Sequence, residues 1–279
     1  MPPQFSIVIA THNARETLAD CLASIWAQED AEFEVLVADG ASTDGTVEIL
    51  NATKDRLAAF VSSPDLGVYD AWNRVLDRIR GEWVLFLGAD DTFAGPRVLA
   101  DASRLLKTAA DGATMFAFGR VSLKSGDLTI EQFGTEDFPP GRWRVRRRRS
   151  FSHTGLFHRR ELFDRFGLFD ASFRISGDSE FLTRTLQHPD VGVIRLDLDV
   201  AIMGLGGLSS SVESRLAAYL EDMRGLRRHG HFIPPLPIVA LASRAFAAVL
   251  LHRLFGRSAA LWASNLYRTL TGRPRRNEM

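Results

Sequence analysis

The stretch that most constrains this chain is the apolar run Trp83–Leu87, which ends in Gly88, Ala89 and two carboxylates, Asp90 and Asp91. An apolar run without polar alternation is typical of a strand covered on both faces, as at the centre of a parallel sheet. Ligands of such sheets bind beyond the carboxyl ends of the strands. The acidic pair is therefore predicted to lie at a binding edge.

The two carboxylates have two interpretations. Adjacent negative charges repel each other unless a cation or a proton lies between them, which favours a metal site. An Asp after a strand is equally typical of a helix N-cap, and Asp91-Thr92 would suit the start of a helix near 96–107. The residues alone leave both interpretations open.

Strands and helices alternate through the first half of the chain. The strands are expected near 5–10, 34–38, 59–62 and 83–87, and the helices near 15–28, 47–57, 70–79 and 96–107. This alternation predicts an α/β fold with a mostly parallel, doubly wound sheet. A small polar cluster follows each of the first three strands, so these clusters should converge on one crevice, as a nucleotide site requires. No Gly-x-Gly-x-x-Gly follows the first strand and no Gly-Lys-Thr occurs, which argues against dinucleotide and P-loop sites.

The charge is unevenly distributed along this chain of 279 residues, although its net charge is zero. Residues 200–279 hold eleven Arg against four acidic residues, a net charge of +7, which leaves −7 on residues 1–199. This asymmetry predicts an acidic catalytic body and a basic end that meets an anionic surface. The single Cys21 fits a reducing compartment and falls at an apolar helical position, so we expect it in the core.

The apolar region Leu236–Leu251 is interrupted by Pro237 and Arg244, and it is short for a membrane span. It would suit a helix lying in a membrane interface or a core-facing helix of a C-terminal bundle, and both remain open. The N-terminus enters a strand without a basic leader, so we expect the cytoplasm, with a peripheral position on the inner face of the plasma membrane.

Four motifs occur in a fixed order and carry a family resemblance. They are Thr11-His12-Asn13, residues 39–46 (DGASTDGT), residues 65–73 (DLGVYDAWN) and residues 81–91 (GEWVLFLGADD). Together they resemble the signature of the family 2 inverting glycosyltransferases with a GT-A fold. The sequence of the third motif resembles that of the bacterial branch whose members build exopolysaccharide, capsule or lipopolysaccharide.

The resemblance covers roughly residues 5–211 and implies a domain organisation. The expected GT-A domain is 1–211, with a nucleotide-sugar half at about 1–110 and an acceptor half at about 111–211. A basic helical C-terminal region is expected at 212–279, with helices near 213–228, 238–255 and 258–270.

The resemblance also implies site residues. The implied donor-binding residues are Thr11, Asn13, Asp39, Asp65, Asn73, Asp90 and His153. Within this set Asp39 would accept a hydrogen bond from the base, and Asp90 would be the last carboxylate of an Asp-x-Asp motif that carries Mg²⁺ or Mn²⁺. Asp91 would be a secondary metal ligand, and Gly88 takes the place of the first Asp of that motif. Oxygen ligands of this kind suit either ion.

The second half resembles the same family through a His-bearing strand, a Gly-Leu-Phe-Asp turn and an acidic helix start. The resemblance implies that Asp178 is the general base, the carboxylate that takes the proton from the acceptor hydroxyl in an inverting transfer. Taken alone, Asp178 before Ser-Glu and an apolar run is also typical of a helix N-cap. Glu180 is the alternative base, and the Gly/Ser stretch 204–210 is a candidate lid.

These features predict an inverting, metal-dependent glycosyltransferase that uses a nucleotide-diphosphate sugar. A saccharide or a lipid-linked saccharide is the expected acceptor. A sugar nucleotidyltransferase is a second hypothesis, but residues 11–15 lack the Gly-rich basic loop that it requires. A third is an inactive sugar-nucleotide-binding assembly or regulatory protein, which Gly88 favours. The Arg-rich segment 142–149 would suit a phospholipid, a diphosphate, nucleic acid or a solvated loop; without a nucleic-acid motif, no nucleic-acid partner is expected.

Overall fold

The computed structural model describes residues 2–126, 128–138, 150–204, 212–232 and 236–270. The strands in these ranges are β1 (Phe5–Thr11), β2 (Phe33–Asp39), β3 (Ala59–Ser62), β4 (Trp83–Gly88), β5 (Thr92–Phe93), β6 (Thr114–Ser125), β7 (Leu128–Phe133), β8 (Leu156–Arg159) and β9 (Gly192–Met203). The helices are α1 (Leu18–Trp26), α2 (Thr46–Thr53), α3 (Val68–Leu76), α4 (Val98–Ala109), α5 (Glu161–Phe166), α6 (Gly177–Leu186), α7 (Val212–Arg228) and α8 (Leu236–Leu270).

The described strands form one mixed sheet in the order β3-β2-β1-β4-β8-β6-β9-β5, with β7 paired to β6. The pairs β3–β2, β2–β1 and β1–β4 are parallel, and β6 and β9 run in the same direction as these four. The strands β5, β7 and β8 run the opposite way. The predicted mostly parallel sheet is therefore confirmed, and β6 pairs antiparallel with β7.

The central strand β4 is covered on both faces. Its residues Trp83–Leu87 are at most 2% exposed. Val84 and Phe86 belong to a core that includes α3, whereas Leu85 and Leu87 belong to a second core that includes α1 and α4. Because successive side chains of a strand point to opposite faces, an unbroken apolar run feeds both cores. The first acidic residues after β4 are Asp90 and Asp91, just beyond its carboxyl end.

The helix-cap interpretation of Asp91-Thr92 is wrong. The helix α4 begins only at Val98, after Arg97 as its N-cap, and Thr92 pairs in β5. The Asp91 carboxylate instead turns back and accepts a hydrogen bond from the Gly88 N–H at 3.2 Å. The pair thus lies at the strand end and not at a helix start.

The C-terminal helices extend the main core. Leu226 of α7 and Ile238 of α8 belong to the same buried cluster as Phe86 of β4. Gly256, with a φ of 81°, breaks α8 where the sequence predicts a division into two helices. Residues 139–149, 205–211, 233–235 and 271–279 lie outside the described residues, and with them the Arg-rich segment and all of the candidate lid except Gly204.

Candidate active site

The predicted crevice follows from the register of the parallel strands. Thr11 pairs with Asp39, and Asp39 pairs with Ser62, so these residues stand in line at one edge of the sheet. Ala10 pairs with Gly88 on the other side of β1, which places the acidic end of β4 at the same edge. The convergence of the polar clusters is therefore confirmed.

The turns after β1 and β2 are tied together by hydrogen bonds. Asn13, held at a positive φ of 51°, donates its N–H to Ser42 Oγ at 2.8 Å. The Asn13 side-chain oxygen accepts from the Thr43 N–H at 2.9 Å. The Ala14 N–H donates to Thr46 Oγ1 at 2.8 Å. The polar turns thus form one wall of the crevice, held together by hydrogen bonds between the two turns.

Asp39 is buried at the floor of this wall, with 2% exposure. Its carboxylate accepts hydrogen bonds from the Ser42 N–H at 3.0 Å, from Ser62 Oγ at 2.6 Å and from Ser42 Oγ. A carboxylate has roughly four lone-pair directions, so acceptor capacity remains for a ligand. Thr11 beside it is 4% exposed, and its hydroxyl has no hydrogen-bond partner among the described residues.

Asp65 reaches this wall from the segment before α3. Its Oδ1 accepts the Gly67 N–H at 2.9 Å. Its Oδ2 lies 2.7 Å from the point where a β-carbon on residue 40 would be, and His12 Nδ1 lies 3.2 Å from the same point. Gly40 therefore provides the space that lets Asp65 and His12 come together beside Asp39.

The acidic pair converges over Gly88. A β-carbon at position 88 would lie 2.8 Å from both Asp90 Oδ1 and Asp91 Oδ2. Burial raises the pKa of the Asp90 carboxyl. Burial, and then the negative charge of Asp90, raise the pKa of Asp91 to about 7. The glycine that replaces the first motif Asp thus opens space in which the two carboxylates meet.

The two carboxylates differ in what they offer an ion. Asp91 is 5% exposed and accepts hydrogen bonds from Thr154 Oγ1 at 3.1 Å and from the N–H groups of Gly88 and Gly204. Asp90 is only partly buried, and within the described ranges neither residue forms an ion pair with Lys or Arg. Two uncompensated carboxylates with raised pKa values fit Mg²⁺ or Mn²⁺, with Asp90 as the accessible ligand. Across the described residues, no cluster of three or more His, Cys, Asp or Glu could hold a metal alone.

The thiol of Cys21 lies behind this pair. It is fully buried on α1, and Sγ donates to the Gly88 carbonyl at 3.4 Å. Burial, and then the charges of Asp91 and Asp90, raise its pKa. The burial of Cys21 confirms its predicted core position. Its raised pKa keeps the thiol protonated, and a protonated thiol is a poor nucleophile.

His153 lies beside the acidic pair in an aromatic cluster. Its ring stacks on Trp72 at 5.3 Å between ring centroids and lies 4.8 Å from His158. Burial lowers the pKa of His153 to about 3, so the ring is neutral at physiological pH. Its buried Nε2 has no hydrogen-bond partner among the described residues. The next residue, Thr154, carries the contact to Asp91.

Asn73 faces another part of the protein. Its amide group donates to the Phe169 carbonyl at 2.8 Å and accepts the Phe169 N–H at 3.1 Å. These two bonds fix the Gly-Leu-Phe-Asp turn against α3. Asn73 therefore positions the turn that contains Phe169. Its contact with the donor remains a prediction.

Asp178 lies in the first turn of α6, whose N-cap is Ser176. The helix-cap interpretation of Asp178 is therefore wrong. Its Oδ1 lies 3.1 Å from the Tyr69 hydroxyl, which also donates to the Ile175 carbonyl at 2.7 Å. The Tyr69 ring packs on Gly177, where an added β-carbon would lie 2.8 Å from the ring. Tyr69 thus joins the donor motif to the carboxylate that matches a general base.

Glu180, the alternative base, is engaged elsewhere. It is 5% exposed and pairs with His229 at 2.6 Å and with Arg184 at 3.3 Å. A buried carboxylate that is paired in this way is held by its partners and not by a substrate. This arrangement favours Asp178 over Glu180.

The segment before Asp178 is held by α7, a contact that the sequence did not predict. The Glu221 carboxylate accepts the consecutive N–H groups of Arg174 at 3.0 Å, Ile175 at 2.9 Å and Ser176 at 2.9 Å. Ser179 Oγ adds a hydrogen bond to Asp222 at 2.5 Å. No local pattern reveals these bonds, because about 45 residues separate the partners in sequence.

A pocket of about 450 Å³ lies between the donor motif and this segment. Its lining includes Asp65 and Leu66 on one side, Arg174 and Ile175 on the other, and Ser214 of α7. The pocket joins elements from both predicted halves of the domain. Val68 of this lining is the chain neighbour of Tyr69. Ile175 is the chain neighbour of Ser176, which caps the helix that carries Asp178.

Solved structures of other proteins share this fold. S. aureus TarS 1–349 in complex with UDP-GlcNAc superimposes with a TM-score of 0.63 at 18% identity, over 95% of this chain and 77% of that chain. A mannosyltransferase from Pyrobaculum calidifontis, in complex with GDP-Man and Mn²⁺, gives 0.59 at 20% identity, over 98% and 77%. At these identities the likeness establishes the fold, which is the predicted GT-A type.

The chain belongs to glycosyl transferase family 2, whose family model matches residues 6–167. A PGL/p-HBAD biosynthesis glycosyltransferase of Mycobacterium bovis is 33% identical over 218 residues, which cover 75% of this chain and 80% of that protein. The putative teichuronic acid biosynthesis glycosyltransferase TuaG of Bacillus subtilis is 28% identical over 130 residues, 46% of this chain and 50% of its own length.

Removal of the Glu221 carboxylate should slow glycosyl transfer through the loss of its hydrogen bonds to residues 174–176. We expect Glu221→Ala to lower the rate of glycosyl transfer by about 10- to 100-fold, because it frees the three N–H groups that place Asp178. Donor binding, measured as the donor-induced rise in melting temperature, should persist because the donor wall is on other elements. Leu220→Ala on the same helix is the control, since the Leu220 side chain is 54% exposed. Equal loss of transfer in both variants would contradict the positioning role.

Proposed function

We propose that this chain is an inverting, metal-dependent glycosyltransferase that moves a sugar from a nucleotide-diphosphate donor to an acceptor hydroxyl. The observation that carries the proposal is the Tyr69–Asp178 contact at 3.1 Å, which joins the donor motif to the base candidate. Family membership and structural neighbours that bind UDP-GlcNAc or GDP-Man support a nucleotide-sugar donor.

The donor is proposed to lie along the sheet edge. Thr11, Asn13 and Asp39 would contact the nucleoside, and Asp65 would lie over the nucleoside or its sugar. The buried, unpartnered hydroxyl of Thr11 and the open acceptor capacity of Asp39 support this placement. His153 is proposed to approach the diphosphate as a neutral ring, because burial lowers its pKa to about 3.

Asp90, with Asp91 behind it, is proposed to hold Mg²⁺ or Mn²⁺ together with the donor diphosphate. When bound, the ion would offset the negative charge that develops on the leaving group. The neighbour that binds GDP-Man and Mn²⁺ supports such an ion. Because two carboxylates are too few to bind the ion tightly alone, we expect metal and donor to bind together.

Asp178 is proposed as the general base. Its carboxylate takes the proton of the acceptor hydroxyl while the hydroxyl oxygen attacks C1 of the sugar. The bond from C1 to the diphosphate oxygen breaks on the opposite face, so the configuration at C1 inverts. Tyr69 contacts Asp178 and Glu221 holds the segment just before it, which would supply the orientation that such a step requires.

The proposed acceptor is a saccharide or a lipid-linked saccharide used in cell-surface polysaccharide synthesis. The names of the mycobacterial and Bacillus subtilis relatives support a surface glycan as the product. The proposed location is the cytoplasm, at the inner face of the plasma membrane, where lipid-linked acceptors and nucleotide sugars meet.

A second candidate function is a sugar-nucleotide-binding protein without transferase activity. Gly88 in place of the first motif Asp favours it, because one potential metal ligand is missing. This candidate predicts that donors raise the melting temperature in the presence of Mn²⁺ while no sugar is transferred to any acceptor or to water.

The role of Asp178 can be tested by substitution. We expect Asp178→Asn to lower transfer by about 100- to 10,000-fold, because the amide cannot take a proton. Donor affinity, measured by calorimetry, should stay nearly unchanged. The control Glu180→Gln should lose stability but keep transfer, since Glu180 pairs with His229 and Arg184. Full activity of Asp178→Asn, with loss in Glu180→Gln, would move the base to Glu180.

The metal role of Asp90 can be measured by thermal shift with nucleotide diphosphates. A ligand that binds only the folded state raises the melting temperature. We expect Asp90→Ala to remove the part of that rise that depends on Mn²⁺, while Asp101→Ala, a surface carboxylate on α4, retains it. If Asp90→Ala reduces the rise equally with and without Mn²⁺, Asp90 is not a metal ligand.

A further inference from the structure

The first part of α8 has two apolar faces. Ile238, Ala242 and Val249 are buried, at 5%, 8% and 8% exposure. A second set of apolar side chains is exposed: Leu236 82%, Val239 38%, Phe246 60%, Leu250 47% and Leu254 64%. Residues three, four or seven apart lie on the same side of a helix, so this second set forms one stripe, which we call the α8 stripe.

The exposed apolar surface continues at and beyond the break at Gly256. Phe255, just before the break, is 68% exposed, and Trp262 and Leu266, after it, are 68% and 45% exposed. Trp262 and Leu266 are four residues apart, as expected for one side of a helix. Scattered single apolar residues on a surface need no explanation, but a contiguous set on one element is typical of a binding surface.

The charge of the helix identifies the kind of partner. Residues 236–270 contain four Arg and neither Asp nor Glu. By the helical period, Arg253 lies roughly 20° outside one edge of the α8 stripe, and Arg244 lies roughly 80° outside the other, beyond the exposed Ala240 and Ala247. Both Arg residues are exposed. An apolar stripe flanked by exposed Arg is the pattern of a helix that lies in the interface of an anionic membrane. The aliphatic part of Arg can cover apolar surface while its charged end reaches the lipid headgroups.

A second copy of the chain fits this surface less well. Two α8 stripes in contact would bring Arg244 and Arg253 of one chain close to those of the other, without acidic residues on α8 to neutralise them. Anionic lipid headgroups would place negative charge opposite the exposed Arg side chains, which a second α8, with neither Asp nor Glu, would not. The partner that complements both properties of the stripe is therefore lipid.

The helix suits an orientation in the plane of the membrane better than a span. Ile238–Gly256 is long and apolar enough to cross a bilayer by length and composition. Its opposite face, however, is held to the enzyme: Ile238 belongs to the main core, and His252 Nδ1 lies 3.0 Å from Glu213 Oε1 of α7. A span would also place Arg244 within the hydrocarbon, where a charged side chain is costly.

We propose that the α8 stripe docks the enzyme on an anionic lipid surface, with α8 in the membrane plane. The same contact sets the position of the site, because α7 connects α8 to the base. Glu213 of α7 meets His252, the next residue Ser214 lines the pocket, and Glu221 holds the segment before Asp178. Docking would thus hold the pocket beside lipid-linked acceptors; only this last step rests on the proposed function.

Flotation with lipid vesicles tests the proposal on the full-length chain. Vesicles of phosphatidylcholine with phosphatidylglycerol should carry the protein upward in a density gradient, and vesicles of phosphatidylcholine alone should carry much less. The triple change Phe246→Gln, Leu250→Gln and Leu254→Gln should lower the partition coefficient by about 100-fold or more, because it removes three large apolar side chains from the stripe. The control Leu128→Gln with Leu168→Gln alters exposed leucines on other elements and should float like the parent.

The outcomes separate this proposal from the proposed function. A folded parent chain that stays with the unbound fraction would overturn lipid docking, and equal flotation with neutral vesicles would overturn an anionic surface as the ligand. A dimer in light scattering that the triple change dissociates, without flotation of the parent, would assign the stripe to a second copy. Donor-induced thermal shifts in the same variants report on the nucleotide site independently of the lipid result.

Discussion

The burial of β4 on both faces is the constraint on which the rest of this structure depends. Since Val84 and Phe86 feed one core and Leu85 and Leu87 feed the other, the strand has no face free for polar groups. The chain can become polar only where the strand ends. Parallel neighbours with matched register place Thr11, Asp39 and Ser62 at the same edge. The position of the candidate site is thus a consequence of how the core is packed.

The two carboxylates beyond β4 are unfavourable in their charged forms, and a bound cation would offset this electrostatic cost. Asp90 and Asp91 meet over Gly88, and burial keeps the pKa values of both carboxyls raised. Thr154 and two backbone N–H groups donate hydrogen bonds to the Asp91 carboxylate, so Asp90 is the carboxylate that remains accessible. The glycine that departs from the family motif therefore has a local reason, because it provides the space in which the pair converges.

The sequence predicted the features that depend on local pattern. The apolar runs and polar turns located the parallel strands, the crevice and the division of α8 at Gly256. The features it missed are tertiary: Glu221 holds the segment of residues 174–176, and Tyr69 meets Asp178 across 109 residues. The two helix-cap interpretations, at Asp91 and Asp178, failed for the same reason. A cap pattern records a local preference, whereas the observed helix starts are set by the turn back to Gly88 and by the contact with α7.

The C-terminal helices join the chemistry to the surroundings of the enzyme. The helix α7 holds the segment before Asp178 on one side and α8 on the other, so the predicted C-terminal helical region packs against the candidate site. The central claim, an inverting transfer, is tested most directly by the configuration of the first product. Time-resolved proton NMR of the sugar released when water replaces the acceptor, with UDP-GlcNAc or GDP-mannose and Mn²⁺, reads that configuration before it equilibrates. The account predicts that the first sugar released has the opposite anomeric configuration to the donor, and release with the donor's own configuration would contradict it.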